Sequence, residues 1–185
     1  MSDPILVLGI GNILWSDEGF GVRAVERLHA GWEFPAHVRL MDGGTRGLFL
    51  IQYVQEASRL LVFDAVDFGH SPGTIVVLEN EDVPRFMGAR KMSLHQTGFQ
   101  DVLAAASLTG RSPGDLLLIG IQPLELEVFG GSLTDPVRSR MEECLALARE
   151  RLCSWGAAPV ARDVPLSEED GLSPLPVAWE AYEDS

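Results

Sequence analysis

Residues 5–10, Ile-Leu-Val-Leu-Gly-Ile, form an unbroken apolar run that stops at Gly11-Asn12. A run this short and apolar at every position reads as a strand covered on both faces. The pattern recurs at 59–65, Arg-Leu-Leu-Val-Phe-Asp-Ala, and at 115–121, Asp-Leu-Leu-Leu-Ile-Gly-Ile. Helical periodicity separates these runs. Val22, Val25, Leu28 and Trp32 stripe a helix from about Glu18 to Ala30, and Thr45 is placed to cap a second helix carrying Leu50, Tyr53, Val54 and Ala57. Ser93-Leu94-His95-Gln96 fits the capping box of a third, running to about Leu108, and Pro136–Ser154 forms a fourth. Further strands are expected at 37–42 and 74–79. The second of these follows the short Ser71-Pro72-Gly73 turn and should run antiparallel to the strand at 59–65. The order predicts one α/β domain: a three-layer sandwich whose mixed, mostly parallel, five-stranded twisted sheet carries helices on both faces.

Charge sharpens the boundaries. The 185 residues carry 27 acids against 14 bases, a formal net charge of −13. Seven of the acids follow Arg162, where no Lys or Arg remains, leaving the body at −6. The domain is therefore expected over 1–157, with 158–185 an acidic, Pro-rich, mobile tail. An acidic body is a poor partner for nucleic acid or anionic membrane, and no apolar run reaches the ~18–20 residues of a membrane span. The opening Met-Ser-Asp-Pro lacks the basic stretch of a signal peptide. Cys144 and Cys153 are the only cysteines and fall on opposite faces of one helix, which excludes a disulfide framework and a Cys-based zinc site. A reduced, cytoplasmic protein is expected.

In such sheets, ligands bind beyond the carboxyl ends of the parallel strands. Asp17-Glu18, Asp42-Gly43-Gly44, Asp64 and His95 are all expected at that rim. Gly9-Ile-Gly11 begins a dinucleotide-binding fingerprint, but Leu14 replaces the third glycine, and Asp17 and Glu18 would repel a pyrophosphate. A dinucleotide-binding oxidoreductase is thus the weakest alternative. Glu18, Asp64 and His95 together offer two carboxylates and an imidazole with open positions, a donor set suited to nickel or zinc. There is no Gly-x-Ser-x-Gly elbow and no His-Glu-x-x-His, which argues against a serine hydrolase and a zincin.

The stretch 5–23, with Met-Asp-Gly-Gly-Thr (41–45), Val-Phe-Asp-Ala-Val (62–66), Pro-Gly-Thr (72–74) and Ser-Leu-His-Gln-Thr-Gly (93–98), resembles the [NiFe]-hydrogenase maturation endopeptidases over residues 5–155. The resemblance implies metal binding by Glu18, Asp64 and His95. It also implies catalysis or substrate handling by Asp42, Gly43 and Gly44, with Asp42 as the catalytic carboxylate of an aspartyl-type protease and the glycines binding substrate. The implied activity is removal of the C-terminal extension of the hydrogenase large-subunit precursor after nickel insertion. Nickel would be the recognition signal, brought by the substrate, with zinc or cadmium able to substitute in vitro. The implied enzyme is a monomer. A non-proteolytic, nickel-binding maturation chaperone is the alternative that the motifs leave open.

Overall fold

The computed structural model describes residues 3–89, 94–167 and 172. Five strands build the main sheet: β1 (Ile5–Ile10), β3 (Val38–Gly44), β4 (Arg59–Ala65), β5 (Ile75–Glu79) and β6 (Asp115–Ile121), in the order β3-β1-β4-β6-β5. The first four in that order run parallel, and β5 lies antiparallel against β6. The strand at 75–79 does run opposite to β4, but its hydrogen-bonded neighbour is β6 rather than β4. β6 takes the position beside β4 with its own apolar run, leaving β5 on the edge.

The alternation of side chains along each strand sorts the core into two layers. Ile5, Val7, Leu61, Phe63, Leu117 and Ile119 pack against α1 (Phe20–Gly31) and α6 (Met141–Ser154). Leu6, Leu8, Leu60, Val62 and Leu118 pack under α2 (Ile51–Glu56), α3 (Asp82–Ala89) and α4 (Leu94–Leu108). The expected three-layer sandwich is the fold observed.

Local differences have physical causes. The chain after Thr45 enters α2 through a 3-10 turn at Gly47–Leu50, with no side-chain cap, so Thr45 caps nothing. The expected last helix is two: α5 (Asp135–Arg138) ends two residues before α6, and only the second carries the long apolar stripe. Within the expected tail, β7 (Val160–Ala161) pairs with β2 (Trp32–Glu33). Arg162 donates to the His29 carbonyl and ion-pairs with Glu33 at 2.8 Å, and Leu172 packs on the core. The last base of the chain thus anchors the stretch that leads into the acidic remainder.

Helix α1 sits unusually low on the sheet. A Cβ on Gly21 would lie 2.2 Å from the Ile10 carbonyl oxygen and 2.3 Å from that of Phe63; a Cβ on Gly9 would lie 2.3 Å from the Gly21 carbonyl oxygen. Backbone cannot yield to contacts this short. Gly21→Ala is therefore expected to lose about 3 kcal/mol or more of stability in urea unfolding. Gly31→Ala, at a helix-end position with nothing within 4 Å, should gain about 0.5 kcal/mol.

Candidate active site

The carboxyl ends of β1, β3 and β4 carry the candidate residues. β1 runs into Gly11, whose φ of +133° and absent Cβ admit the Glu18 carbonyl oxygen 1.9 Å from where a Cβ would be. The Gly9/Gly11 pair thus serves close backbone packing, and no open phosphate cradle is left. Glu18 lies in a 3-10 turn, Ser16–Gly19, that leads directly into α1 and packs against β4. Its amide donates to the Trp15 carbonyl at 2.8 Å, and its own carbonyl accepts from Asn12 at 3.2 Å. The half-buried Glu18 carboxyl has its pKa raised by desolvation.

Asp64 stands one residue from the end of β4, 1% exposed. Burying a carboxylate costs several kcal/mol unless it is paired or neutralised, and an acid at the end of an otherwise apolar strand marks the site. Among the described residues no three His, Cys, Asp or Glu side chains gather as a metal-holding group. The third expected ligand, His95, belongs to the first turn of α4 by backbone, but its side chain lies outside the described residues, as does the capping Ser93. Glu18 and Asp64 provide two hard oxygen donors at the rim, a chemistry that fits a divalent cation.

Asp42 pairs in register with Gly9, which in turn pairs with Phe63. Residues in register share a face, so Asp42 lies on the α1 side, and Asp64, next after Phe63, on the α4 side. Two strand spacings put their backbones about 10 Å apart. The two acids therefore share a rim without sharing a ligand position. Desolvation raises the Asp42 pKa, opposed by Arg46, by the Gly44 amide and by Arg23 of α1. Its Oδ1 is buried and accepts no hydrogen bond among the described residues.

Gly43 is the extra residue of a β-bulge, since Gly9 pairs with Asp42 and Ile10 with Gly44. A Cβ on Gly43 would press to 2.8 Å from the Leu8 side chain and 3.0 Å from the Gly9 carbonyl oxygen. Gly44 has φ +46° and accepts the Gly11 amide at 3.1 Å. The bulge ends β3 and turns Asp42 toward the rim.

Asp17, expected beside Glu18 in the acidic cluster, has a different task. It is fully buried and accepts the amides of Leu124 (2.9 Å), Glu125 (3.1 Å) and Thr134 (2.7 Å) and the Thr134 hydroxyl (2.8 Å). With its oxygens committed to these donors it is a clamp on the β6–α5 connection, not a metal ligand. Spacing gave no sign of this, because its partners lie 107 to 117 residues away. Cysteine chemistry is absent from the rim: Cys144 lies in the core under α6, its thiol pushed up to about 12 chiefly by burial.

Apolar side chains surround the rim. Ile13, Leu48, Phe49, Leu124, Val128 and Phe129 are all exposed, Phe49 by 83%, on the loops after β1, β3 and β6. Trp15 meets Phe129 edge-on, ring centroids 5.6 Å apart.

Residues 22–150 match the hydrogenase maturation protease family model. The hydrogenase expression/formation protein HoxM of Azotobacter vinelandii is 57% identical over 97% of this chain and 85% of its own. The hydrogenase 2 maturation protease of Escherichia coli is 39% identical over 86% of this chain and 96% of its own. The solved structure of the hydrogenase maturating endopeptidase HybD from E. coli superposes with a TM-score of 0.82 at 38% identity, covering 86% of this chain and 98% of that one.

The raised carboxyl pKa values make a pH prediction. Each folded-state pKa lies above its unfolded value, so the native state holds its proton more tightly. The ionised groups cost stability above the folded pKa, and that cost disappears below the unfolded values near 3.8 and 4.5. Asp42→Asn and Glu18→Gln should therefore unfold at higher temperature than the parent at pH 7. That advantage should shrink as pH falls through the carboxylate range, as thermal melts from pH 7 to pH 3.5 would record.

Proposed function

The chain belongs to the hydrogenase maturation protease family and is a peptidase, and from that premise we propose that it removes the C-terminal extension of a hydrogenase large-subunit precursor once nickel has been inserted. The observation that carries this reading is the gathering of acids at one rim: half-buried Glu18 in the turn after β1, buried Asp64 at the end of β4, and Asp42, its pKa raised by desolvation, about two strands from Asp64. We read the enzyme as a cytoplasmic monomer, as the family resemblance implies; separately, no helix among the described residues is long and apolar enough to cross a membrane.

Glu18, Asp64 and His95 hold the nickel that the substrate presents; zinc or cadmium would occupy the same donors in vitro. Nickel bound there supplies a fixed point on the substrate. The separation of Asp42 from this pair favours orientation of the peptide over polarisation of the scissile carbonyl by the metal. Asp42 then acts as the aspartyl-type general base. Its carboxylate takes a proton from water as the water oxygen bonds to the scissile carbonyl carbon; that proton passes to the leaving amine as the C–N bond breaks. Desolvation brings its pKa closer to working pH, which a base requires. Gly43 and Gly44 leave the bulge without side chains, so substrate main chain approaches closely. The exposed apolar loops suit a folded protein substrate.

Incubation with nickel-loaded precursor, followed by mass spectrometry of the product, tests the reading. A shortened large subunit is expected, with Asp64→Asn or His95→Ala abolishing processing and Asp42→Asn slowing kcat by about 10²-fold or more. Phe49→Ala should raise KM several-fold and leave kcat intact. A precursor of unchanged mass with the parent protein would instead support a nickel-binding chaperone.

A further inference from the structure

The segment leaving β6, residues 122–134, is bonded to both loops that carry the carboxylate pair. On one side lies the turn before Glu18. Asp17 accepts the Leu124, Glu125 and Thr134 amides and the Thr134 hydroxyl, and its own amide donates to the Glu125 carbonyl at 3.2 Å. The Ser16 hydroxyl donates to the Ser132 carbonyl at 3.2 Å, the Gly130 amide to the Leu14 carbonyl at 2.8 Å, and Trp15 bridges to Phe129. Ser16 itself holds a left-handed φ of 30°, which a serine adopts only where its surroundings impose it.

On the other side lies the loop after Asp64. Gln122, buried at the end of β6, accepts the amides of Phe68 (2.7 Å) and His70 (3.1 Å) on its Oε1 and donates its Nε2 to Asp67 Oδ1 at 3.0 Å. Its main-chain amide donates to the Thr74 carbonyl at 2.8 Å. Thr134 opens α5, where a threonine hydroxyl ordinarily caps its own helix, yet no side-chain cap forms there because the hydroxyl points to Asp17. Gln122 and Thr134 thus direct side-chain hydrogen bonds onto the neighbouring loops.

We propose that Asp17 and Gln122 are positioning residues: acting through one braced segment, they fix the Glu18 turn relative to the Asp64 loop and so preset the carboxylate pair for a divalent cation. The cation clause rests on the nickel reading above. The structural clause rests on the hydrogen bonds alone. Partners behind metal ligands commonly alter affinity by about 10- to 100-fold when removed, without touching the ion.

The test uses the full chain with Asp17→Asn, Thr134→Val and Gln122→Met, each checked for fold by circular dichroism. Thr134→Val removes one hydroxyl and keeps the test open should Asp17→Asn fail to fold. Amide deuterium exchange is read first. The Asp17 and Thr134 variants should speed exchange at 66–70, and Gln122→Met should speed it at 14–18, in each case across the brace. Titration with Ni²⁺ alone, at a temperature where every variant is folded, should then show about tenfold weaker binding in each, less than additive in the Thr134→Val/Gln122→Met pair. A merely structural role would lower Tm and leave the Ni²⁺ affinity of the folded protein unmoved. Exchange changes confined to the mutated side overturn the brace. Cross-brace exchange with parental Ni²⁺ affinity overturns positioning, provided Glu18→Gln and Asp64→Asn do weaken Ni²⁺ binding. If those two also bind normally, the nickel reading fails while the brace, judged by exchange, stands.

Discussion

The contact between α1 and the sheet governs everything above it. Gly21 lies against the carbonyls of Ile10 and Phe63, Gly9 against the carbonyl of Gly21, and Gly11 against the carbonyl of Glu18. None of the three tolerates a Cβ without moving backbone. The closeness lets the turn before α1 reach β4 and brings the Glu18 backbone onto the end of β1 rather than above it. Were α1 at the usual standoff for a side-chain-mediated helix–sheet contact, Glu18 would be lifted away from the buried Asp64. The glycines of this loop resemble a nucleotide fingerprint in sequence, but their role is to remove volume, and the space so gained is filled by protein.

Acids at this rim divide by how their charge is met. Asp17 is fully buried and accepts hydrogen bonds from three amides and a hydroxyl. Glu18 and Asp42 have pKa values raised by desolvation, and for Asp42 the two arginines and the Gly44 amide offset that only partly. Such groups destabilise the fold at neutral pH, and a chain retains them where chemistry needs a poised carboxyl. The clamp and a desolvated carboxyl are adjacent in sequence at 17 and 18, so neighbouring acids of one turn meet different surroundings: Asp17 a set of backbone donors, Glu18 a half-buried position at the rim.

The layers of the fold were legible because each central strand is apolar along its length, and a strand covered on both faces can be little else. Glu18 and Asp64 were legible as rim residues for the same reason, following or ending one of those runs, whereas Asp42 was legible from the Asp-Gly-Gly end of the edge strand β3. The donor set Glu18, Asp64 and His95 was assembled from residue types at the rim, and the motif resemblance implied the same ligands; the expected role of Asp42 came from the resemblance. What escaped was long-range polar pairing. Asp17 and Gln122 look like ordinary loop polar residues until the chain closes over them, with partners 107 to 117 residues away for one and 52 to 55 for the other. The β2–β7 ribbon escaped too, since two-residue strands carry no periodicity. The pleat relation that sends Asp42 and Asp64 to opposite faces depends on register, which no single segment encodes.

That relation bears on how a maturation peptidase can sense its substrate's state. If the group that reads the metal and the group that cuts were one cluster, any bound divalent ion would sit where water is activated, and recognition would be inseparable from catalysis. With Asp42 on the α1 face, about two strands from Asp64 on the α4 face, an ion held as proposed by Glu18 and Asp64 would not by itself bring a peptide to Asp42. On the proposed reading, only a substrate holding the metal and the scissile bond at matching separation would span both. The twisted sheet would supply that ruler at no extra structural cost, because strand spacing is fixed by backbone hydrogen bonding, while the braced β6–α5 segment ties the loops after β1 and β4 together.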